Sequence, residues 1–165
     1  MSVRAQPKAA PRARDRSVAF ARTGAVVAIV LVLDLVTKHI IRTGIGVGQE
    51  RKVLPGVHLV HVRNNGVAFG FFSGGGALVL VLTLLALCAL VAYFVAHPTR
   101  SWLWLPTGLL IGGAIGNLID RLVNGAVTDF IKLPLWPAFN LADTAITFGV
   151  FALLFVLEGR RRDEQ

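Results

Sequence analysis

The sequence predicts an all-α polytopic membrane protein with four transmembrane helices and a small extracytoplasmic β-rich segment. Of its 165 residues, 55% are hydrophobic and only 16% are charged, which is too apolar for a typical soluble domain. A helix needs about 20 apolar residues to cross the hydrocarbon core, because each residue rises only about 1.5 Å. Four stretches reach or approach this length, at 23–41, 74–96, 102–119 and 139–157.

The ends of the chain set the expected orientation of these spans. A basic leader at 1–22 precedes span one and resembles the start of a signal peptide. The apolar run that follows is too long for one, and no convincing small-residue cleavage site follows it, so we expect an uncleaved anchor. By the positive-inside rule, the leader and the basic tail at 159–165 are both cytoplasmic, with one four-helix domain at 23–158 between them.

This topology places two segments outside the membrane, at about 42–73 and 121–138. In the first, residues 52–63 are rich in Val and Leu and are interrupted by Pro55 and Gly56, which predicts a short hairpin-like pair of strands. We expect this small sheet to rest on the helix bundle. The Asn-Asn-Gly sequence at 64–66 then indicates a turn.

Several classes of function are disfavoured by composition. The net charge of +8 lies mainly at the termini, which fits membrane orientation better than nucleic-acid binding. Cys88 is the single cysteine and excludes an intrachain disulfide. No serine lies in a Gly-x-Ser-x-Gly motif, and no His-Glu-x-x-His motif is present. His58 and His61 would lie on opposite faces of a strand, so we expect neither a metal nor a cofactor.

Four aspartates converge near the outer face in this topology, at positions 34, 120, 129 and 143. A carboxylate at the centre of a membrane helix costs roughly 2.5–3.5 kcal/mol on insertion scales, so an aspartate in a span indicates a structural or functional role. Two of these carboxylates brought together would supply an acid and a base at one pH, as peptide hydrolysis without a metal requires.

Structural interpretations compete for each of these residues. Asp34 and Lys38 have i, i+4 spacing and can neutralise each other. Asp120 and Arg121 are helix neighbours that point about 100° apart, so each is expected to pair with another element. The carboxylate of Asp143 could accept hydrogen bonds from free backbone N–H groups at a helix start. Asp129 is expected to be an ordinary loop residue. Spacing alone does not choose which two aspartates pair.

The third span also contains three glycines, Gly112, Gly113 and Gly116. Two of them have Gly-xxx-Gly spacing, which lets a neighbouring helix approach closely. We expect them to hold the outer ends of the helices near one another.

Four segments together resemble bacterial signal peptidase II. They are Asp-Leu-Val-Thr-Lys at 34–38, Asn-Asn-Gly-Val-Ala-Phe-Gly at 64–70, Gly-Gly-Ala-Ile-Gly-Asn-Leu-Ile-Asp-Arg at 112–121 leading to Val-Thr-Asp-Phe at 127–130, and Phe-Asn-Leu-Ala-Asp at 139–143. Their order, spacing and topology all fit. One departure is Leu35, where many members carry glutamine.

The resemblance implies an aspartyl protease whose catalytic pair is Asp129 and Asp143. The family's supporting residues map onto Asp34, Lys38, Asn64, Asn117, Arg121 and Asn140, with Gly66 and Gly113 giving close backbone approach. We add Asp120 to this supporting set. The implied reaction removes the signal peptide of a prolipoprotein by cleaving before a diacylglyceryl-modified cysteine. The implied partners are such substrates and membrane lipids, with no nucleic acid, for a monomer in the bacterial cell membrane.

Two other classes of function remain as alternatives. A proton or ion pathway would use Asp34, Asp120 and Asp143 as relay sites, but the inner halves of the spans lack ionisable residues apart from terminal ones. A structural subunit or assembly factor would leave Asp129 and Asp143 dispensable. A presenilin-like protease is disfavoured because its Gly-x-Gly-Asp signature is absent.

Overall fold

The computed structural model describes residues 13–65 and 76–163. Within them the chain forms four helices and three strands: α1 Ala13–Gly44, β1 Glu50–Leu54, β2 Val57–Asn64, α2 Gly76–Ala96, α3 Trp104–Asn124, β3 Val127–Lys132 and α4 Leu141–Asp163. Each predicted span coincides with one helix. The helices differ from the predicted spans mainly in length, since α1 begins ten residues before Thr23 and α4 continues into the basic tail.

Helix α3 lies at the centre of the bundle and packs against α1 and α4. Its glycines allow this, as predicted from their spacing. A Cβ on Gly112 would lie 2.9 Å from Val30 Cβ of α1, and one on Gly113 would lie 2.5 Å from the carbonyl oxygen of Ala142 in α4. Such separations are shorter than real Cβ contacts, so larger residues would push the helices apart.

The distribution of apolar residues on α1 is the reverse of that in a soluble helix. Asp34 and Lys38 are both fully buried, whereas Ile29 and Val32 are each 59% exposed. Among the described helices, α1 and the Leu141–Gly159 part of α4 are long and apolar enough to cross a membrane. Exposed apolar side chains around buried charges fit a hydrocarbon surround.

The predicted hairpin is present and a third strand extends it. Strands β1 and β2 are antiparallel and joined at Pro55 and Gly56, and β2 also pairs antiparallel with β3. Asp129 therefore lies on a strand, which corrects its interpretation as a loop residue. The ladder explains the difference, because β3 is held by hydrogen bonds to a strand about 65 residues away in the sequence.

The sheet rests on the end of the bundle, as expected. Ile41 near the end of α1 and Ile45 just after α1 pack with Phe130 of β3 in one buried cluster. Gly125 ends α3 in the left-handed conformation, with φ 73°, and its N–H donates to the carbonyl of Arg121. This cap turns the chain from α3 into β3 within a few residues.

Candidate active site

The start of α4 is fixed by a reciprocal cap between Asn140 and Asp143. The side-chain Oδ1 of Asn140 accepts the N–H of Asp143 at 2.9 Å, and Asp143 Oδ2 accepts the N–H of Asn140 at 3.2 Å. This is the geometry of a capping box, in which the N-cap and the third helical residue satisfy each other's backbone donors. The structural interpretation of Asp143 is therefore correct, but it uses only one carboxylate oxygen.

The other oxygen of Asp143 faces α3. Asn117 donates from Nδ2 to Asp143 Oδ1 at 2.7 Å. Its own Oδ1 accepts hydrogen bonds from Asn140 Nδ2 at 3.2 Å and from Lys38 Nζ at 2.9 Å. Asn117 thus orients both residues of the cap and links them to α1.

Asp129 is held by amides from two sides. Asn64 Nδ2 donates to its Oδ2 at 2.9 Å, and Asn140 Nδ2 donates to its Oδ1 at 2.8 Å. The residue is only 2% exposed. Burial, reinforced by the nearby charge of Asp143, raises the pKa of Asp129 to about 6 despite the two amide donors. This carboxyl can therefore gain or lose a proton near neutral pH.

The pair forms no salt bridge in the part of the chain that the structure describes, although the charge of Lys38 acts on Asp129 from beside the site. The described hydrogen bonds of Asp129 and Asp143 come from Asn64, Asn117 and Asn140. Asn140 contacts both acids and is itself fully buried. We refer to Asp129, Asp143 and these three asparagines as the dyad site.

A second group, which we call the charge cluster, lies beside the dyad site and consists of Asp34, Lys38, Arg42 and Asp120. Lys38 Nζ lies 2.7 Å from Asp34 Oδ2 and 3.3 Å from Asp120 Oδ2, and Arg42 lies 2.8 Å from Asp120 Oδ1. The predicted pairing of Asp34 with Lys38 is confirmed, as is the pairing of Asp120 with another element.

The charge cluster also holds the helix and the strand that carry the dyad. Asp34 Oδ1 accepts the N–H of Ala142 in the first turn of α4, at 2.9 Å. Asp120 Oδ2 accepts the N–H of Thr128 in β3, also at 2.9 Å. Each buried carboxylate of the charge cluster thus holds the element that carries one member of the dyad.

Two of the remaining predicted site residues do not join the dyad or the cluster. Arg121 NH1 donates to the carbonyl of Asn117 in its own helix at 3.4 Å, so the expectation that it pairs with another element is wrong among the described residues. Gly113 provides the predicted close approach to α4. Gly66 lies outside the described residues.

Sequence reasoning missed Arg42. The signal was available, because Asp34, Lys38 and Arg42 follow one another at intervals of four and therefore share one face of α1. We find no group of three or more His, Cys, Asp or Glu side chains with the geometry of a metal site within residues 13–65 and 76–163.

The family model described as signal peptidase (SPase) II matches residues 26–158, which include both the dyad site and the charge cluster. This chain belongs to the signal peptidase II family. A lipoprotein signal peptidase from Moorella thermoacetica is 43% identical over 131 residues, covering 78% of this chain and 87% of the relative. One from Halothermothrix orenii is 38% identical over 133 residues, covering 80% and 92%.

Solved structures agree with the family assignment. A bacterial membrane enzyme determined by the in meso method at 2.3 Å resolution has a TM-score of 0.81 with this chain at 32% identity, covering 88% of this chain and 92% of the other. A second such structure, at 1.9 Å resolution, has a TM-score of 0.76 at 34% identity and covers 83% and 92%. As a signal peptidase II, the chain is a peptidase of a bacterial membrane.

Proposed function

We propose that this signal peptidase II is a membrane aspartyl endopeptidase that removes signal peptides from prolipoproteins, with Asp129 and Asp143 as its catalytic pair. The cut falls before the diacylglyceryl-modified cysteine of the substrate. The observation that carries the proposal is the dyad site: two neighbouring carboxyls bound by amides, with no salt bridge to a described cation and with the pKa of Asp129 raised to about 6. The choice of these two aspartates stays a prediction.

The proposed chemistry uses one ionised and one protonated carboxyl. The ionised member takes a proton from a water molecule, whose oxygen adds to the scissile carbonyl carbon while the protonated member donates to the carbonyl oxygen. When the tetrahedral intermediate collapses, the C–N bond breaks, and the carboxyl that took the proton from water gives it to the leaving nitrogen. The other carboxyl takes a proton back from a hydroxyl of the intermediate, which becomes the product acid. The pair has then returned to its starting state, with one proton on the member that began as the acid.

The surrounding asparagines position this pair without neutralising it. Asn140 donates to Asp129 and receives the backbone N–H of Asp143, so it fixes the separation of the two carboxyls. Asn117 holds the opposite side of Asp143. Neutral donors suit this role, because a cation would hold both carboxyls in the ionised form and leave no acid to donate a proton.

The proposed membrane arrangement follows from the positions of charges. The four helices span the bilayer, both basic ends are cytoplasmic, and the sheet and the dyad site lie at the outer face. Residues 1–22 form the leader, 23–158 the peptidase domain and 159–165 the tail. A monomer suffices, since both carboxyls of the pair belong to one chain. Signal helix and lipid are both membrane-bound, so a site at this interface meets the scissile bond where the substrate leaves hydrocarbon.

The test is a reconstituted cleavage assay with a lipid-modified precursor. We expect Asp129→Asn and Asp143→Asn each to lower the turnover at least about 10²- to 10⁴-fold, as expected when a general acid or base is removed. Asp15→Asn is the matched control, because Asp15 is an exposed aspartate in the first turn of α1. Mass spectrometry of the product locates the cut, and the same precursor without its lipid tests the need for the modified cysteine.

Two results would contradict the proposal. Turnover close to the wild-type value in either Asp129→Asn or Asp143→Asn would exclude the pair. Loss of activity in chelator, restored by added metal, would require a metal-dependent mechanism instead. Circular dichroism of each variant in detergent checks that the helices are retained, so that inactivity is not attributed to misfolding.

A further inference from the structure

The end of the sheet away from the dyad site carries an apolar group that no described part of the protein covers. Val53 and Leu54 are 54% and 59% exposed before the β1–β2 turn, and Leu135 and Trp136 are 104% and 59% exposed after β3. The two turns are neighbours, because a Cβ on Gly56 would lie 3.6 Å from Pro134 Cγ. We refer to Val53, Leu54, Leu135 and Trp136 as the apolar tip.

The two turns have the same type but different residues at the strained position. Each has proline second and a residue with positive φ third, which defines a type II turn: Gly56 has φ 76° and Leu135 has φ 59°. In the second turn the N–H of Trp136 donates to the carbonyl of Leu133 at 3.3 Å. Glycine is the favoured residue at this position, so a leucine there holds a large apolar side chain outward at a conformational cost.

Basic residues lie directly behind the apolar tip. Lys52 and Lys132 both pair in register with His58 of the central strand, so the three side chains form a row across the sheet. His58 also contacts Glu50, which lies further from the apolar tip. A row of lysines beside exposed leucine and tryptophan matches a bilayer surface, where phosphates lie next to the acyl region and tryptophan is favoured.

We propose that the apolar tip inserts into the outer leaflet beside the helix bundle, with Lys52 and Lys132 on the lipid phosphates. The partner is the phospholipid bilayer itself, which the exposed apolar faces of α1 and α4 already contact in the proposed arrangement. The opposite end of the sheet carries Asn64 and Asp129. Anchoring the apolar tip therefore fixes the tilt of the sheet and the height of the dyad site above the membrane.

Tryptophan fluorescence tests this placement without reference to catalysis. Trp102→Phe with Trp104→Phe leaves Trp136 as the single tryptophan in the sequence. The protein is reconstituted in nanodiscs of phosphatidylcholine and phosphatidylglycerol, with or without phosphatidylcholine brominated near the headgroup end of one acyl chain. We expect brominated lipid to reduce the Trp136 emission by about half, since interfacial tryptophan lies at this depth.

The matched control moves the single tryptophan along β1. Glu50→Trp in a chain without the three native tryptophans places the probe four residues before Leu54, or about 13 Å away along the strand. This probe should respond to acrylamide in the aqueous phase and little to brominated lipid. The same behaviour from Trp136 would overturn the proposal. A Trp136 emission in detergent that changes with protein concentration would also overturn the proposal, since that would indicate contact with a second copy of the chain.

A second measurement separates anchoring from folding. Asn tolerates positive φ, so Leu135→Asn should keep or raise the Tm in detergent while removing the exposed leucine. In nanodiscs, in the chain with Trp136 as its single tryptophan, we expect Leu135→Asn to weaken the quenching of Trp136 by brominated lipid. We also expect Leu135→Asn to raise the apparent KM for lipid-modified precursor at least about threefold, with kcat little changed. An equal rise in KM in detergent would overturn the proposal in favour of direct contact with the substrate. The quenching result stands even if the proposed catalytic pair is wrong.

Discussion

The charge cluster and the dyad site are built from the same acid and lie side by side, yet they differ in how each carboxylate is compensated. In the charge cluster, Asp34 and Asp120 contact Lys38 and Arg42 at 2.7–3.3 Å. In the dyad site, the described partners of both aspartates are amides. Lys38 donates to Asn117 and so connects the two groups without reaching either carboxyl of the dyad through a salt bridge.

Burial does not separate these two roles. Asp120 is fully buried and Asp129 is 2% exposed, so both have left water almost completely. A cation in contact with a buried acid favours its ionised form, whereas neutral donors favour it less. At these two equally buried carboxyls, the partners therefore favour the ionised form of Asp120 and allow Asp129 to keep its proton to a higher pH.

Breaking the charge cluster at its centre should have the largest effect on stability. Lys38→Met leaves Asp34 buried without its cation, and we expect a loss of roughly 3–5 kcal/mol in the free energy of unfolding. Thermal unfolding in detergent, followed by circular dichroism, measures the loss. The double variant Asp34→Asn with Lys38→Met removes the uncompensated charge and should recover most of it. A double variant less stable than Lys38→Met would contradict this account.

Removing a charge from the dyad site should raise the stability instead of lowering it, because burial of Asp129 disfavours its ionised form. The pKa of Asp129 is raised from 3.8 to about 6 in the folded protein, so the stabilisation from its protonated form is complete below about pH 4 and is lost as the pH rises through about 6. Asp129→Asn, which resembles the protonated form, should therefore match the wild type at low pH and exceed it by up to about 3 kcal/mol at neutral pH.

The measurement is the Tm in detergent of wild type and Asp129→Asn between pH 4 and about 7.5, where the shifted group titrates. Asp15→Asn controls for loss of an exposed carboxylate. Parallel pH curves for wild type and Asp129→Asn would show that Asp129 titrates normally in the folded state. In that case Asp129 would not keep its proton to a higher pH than an ordinary aspartate, and the distinction between the dyad site and the charge cluster would fail.

Substitution of Arg42, at the edge of the charge cluster, should have the smallest effect on the free energy of unfolding. The Arg42 side chain is 28% exposed, and Asp120 keeps Lys38, the N–H of Thr128 and Asn124 when Arg42 is removed. We expect Arg42→Gln to cost about 1 kcal/mol or less, and less again in high salt, because a partly exposed pair is screened. Thermal unfolding at low and high salt checks both points. A loss as large as that of Lys38→Met would show that Arg42, too, acts as a buried partner.

Much of the fold could be predicted because it depends on local sequence. The apolar runs, the Pro55–Gly56 turn and the i, i+4 spacing of Asp34 and Lys38 each act within a few residues, and the structure contains all of them. The cap at Asn140 and Asp143 is equally local. The family resemblance then pointed to Asp129 and Asp143, an assignment that stays a prediction until variants are assayed.

Only the tertiary structure decided which distant groups meet. Strand β3 forms because β2 lies beside it, and Asp120 has Arg42 as a partner because α1 and α3 pack closely along glycine. Asp129 is set among asparagines from β2 and the start of α4, and no spacing in the sequence contains that arrangement. Hydrophobic length and helical periodicity are local properties, so the sequence determined the helices. The surroundings of each carboxylate, and hence its charge state, depend on contacts between segments far apart in the chain.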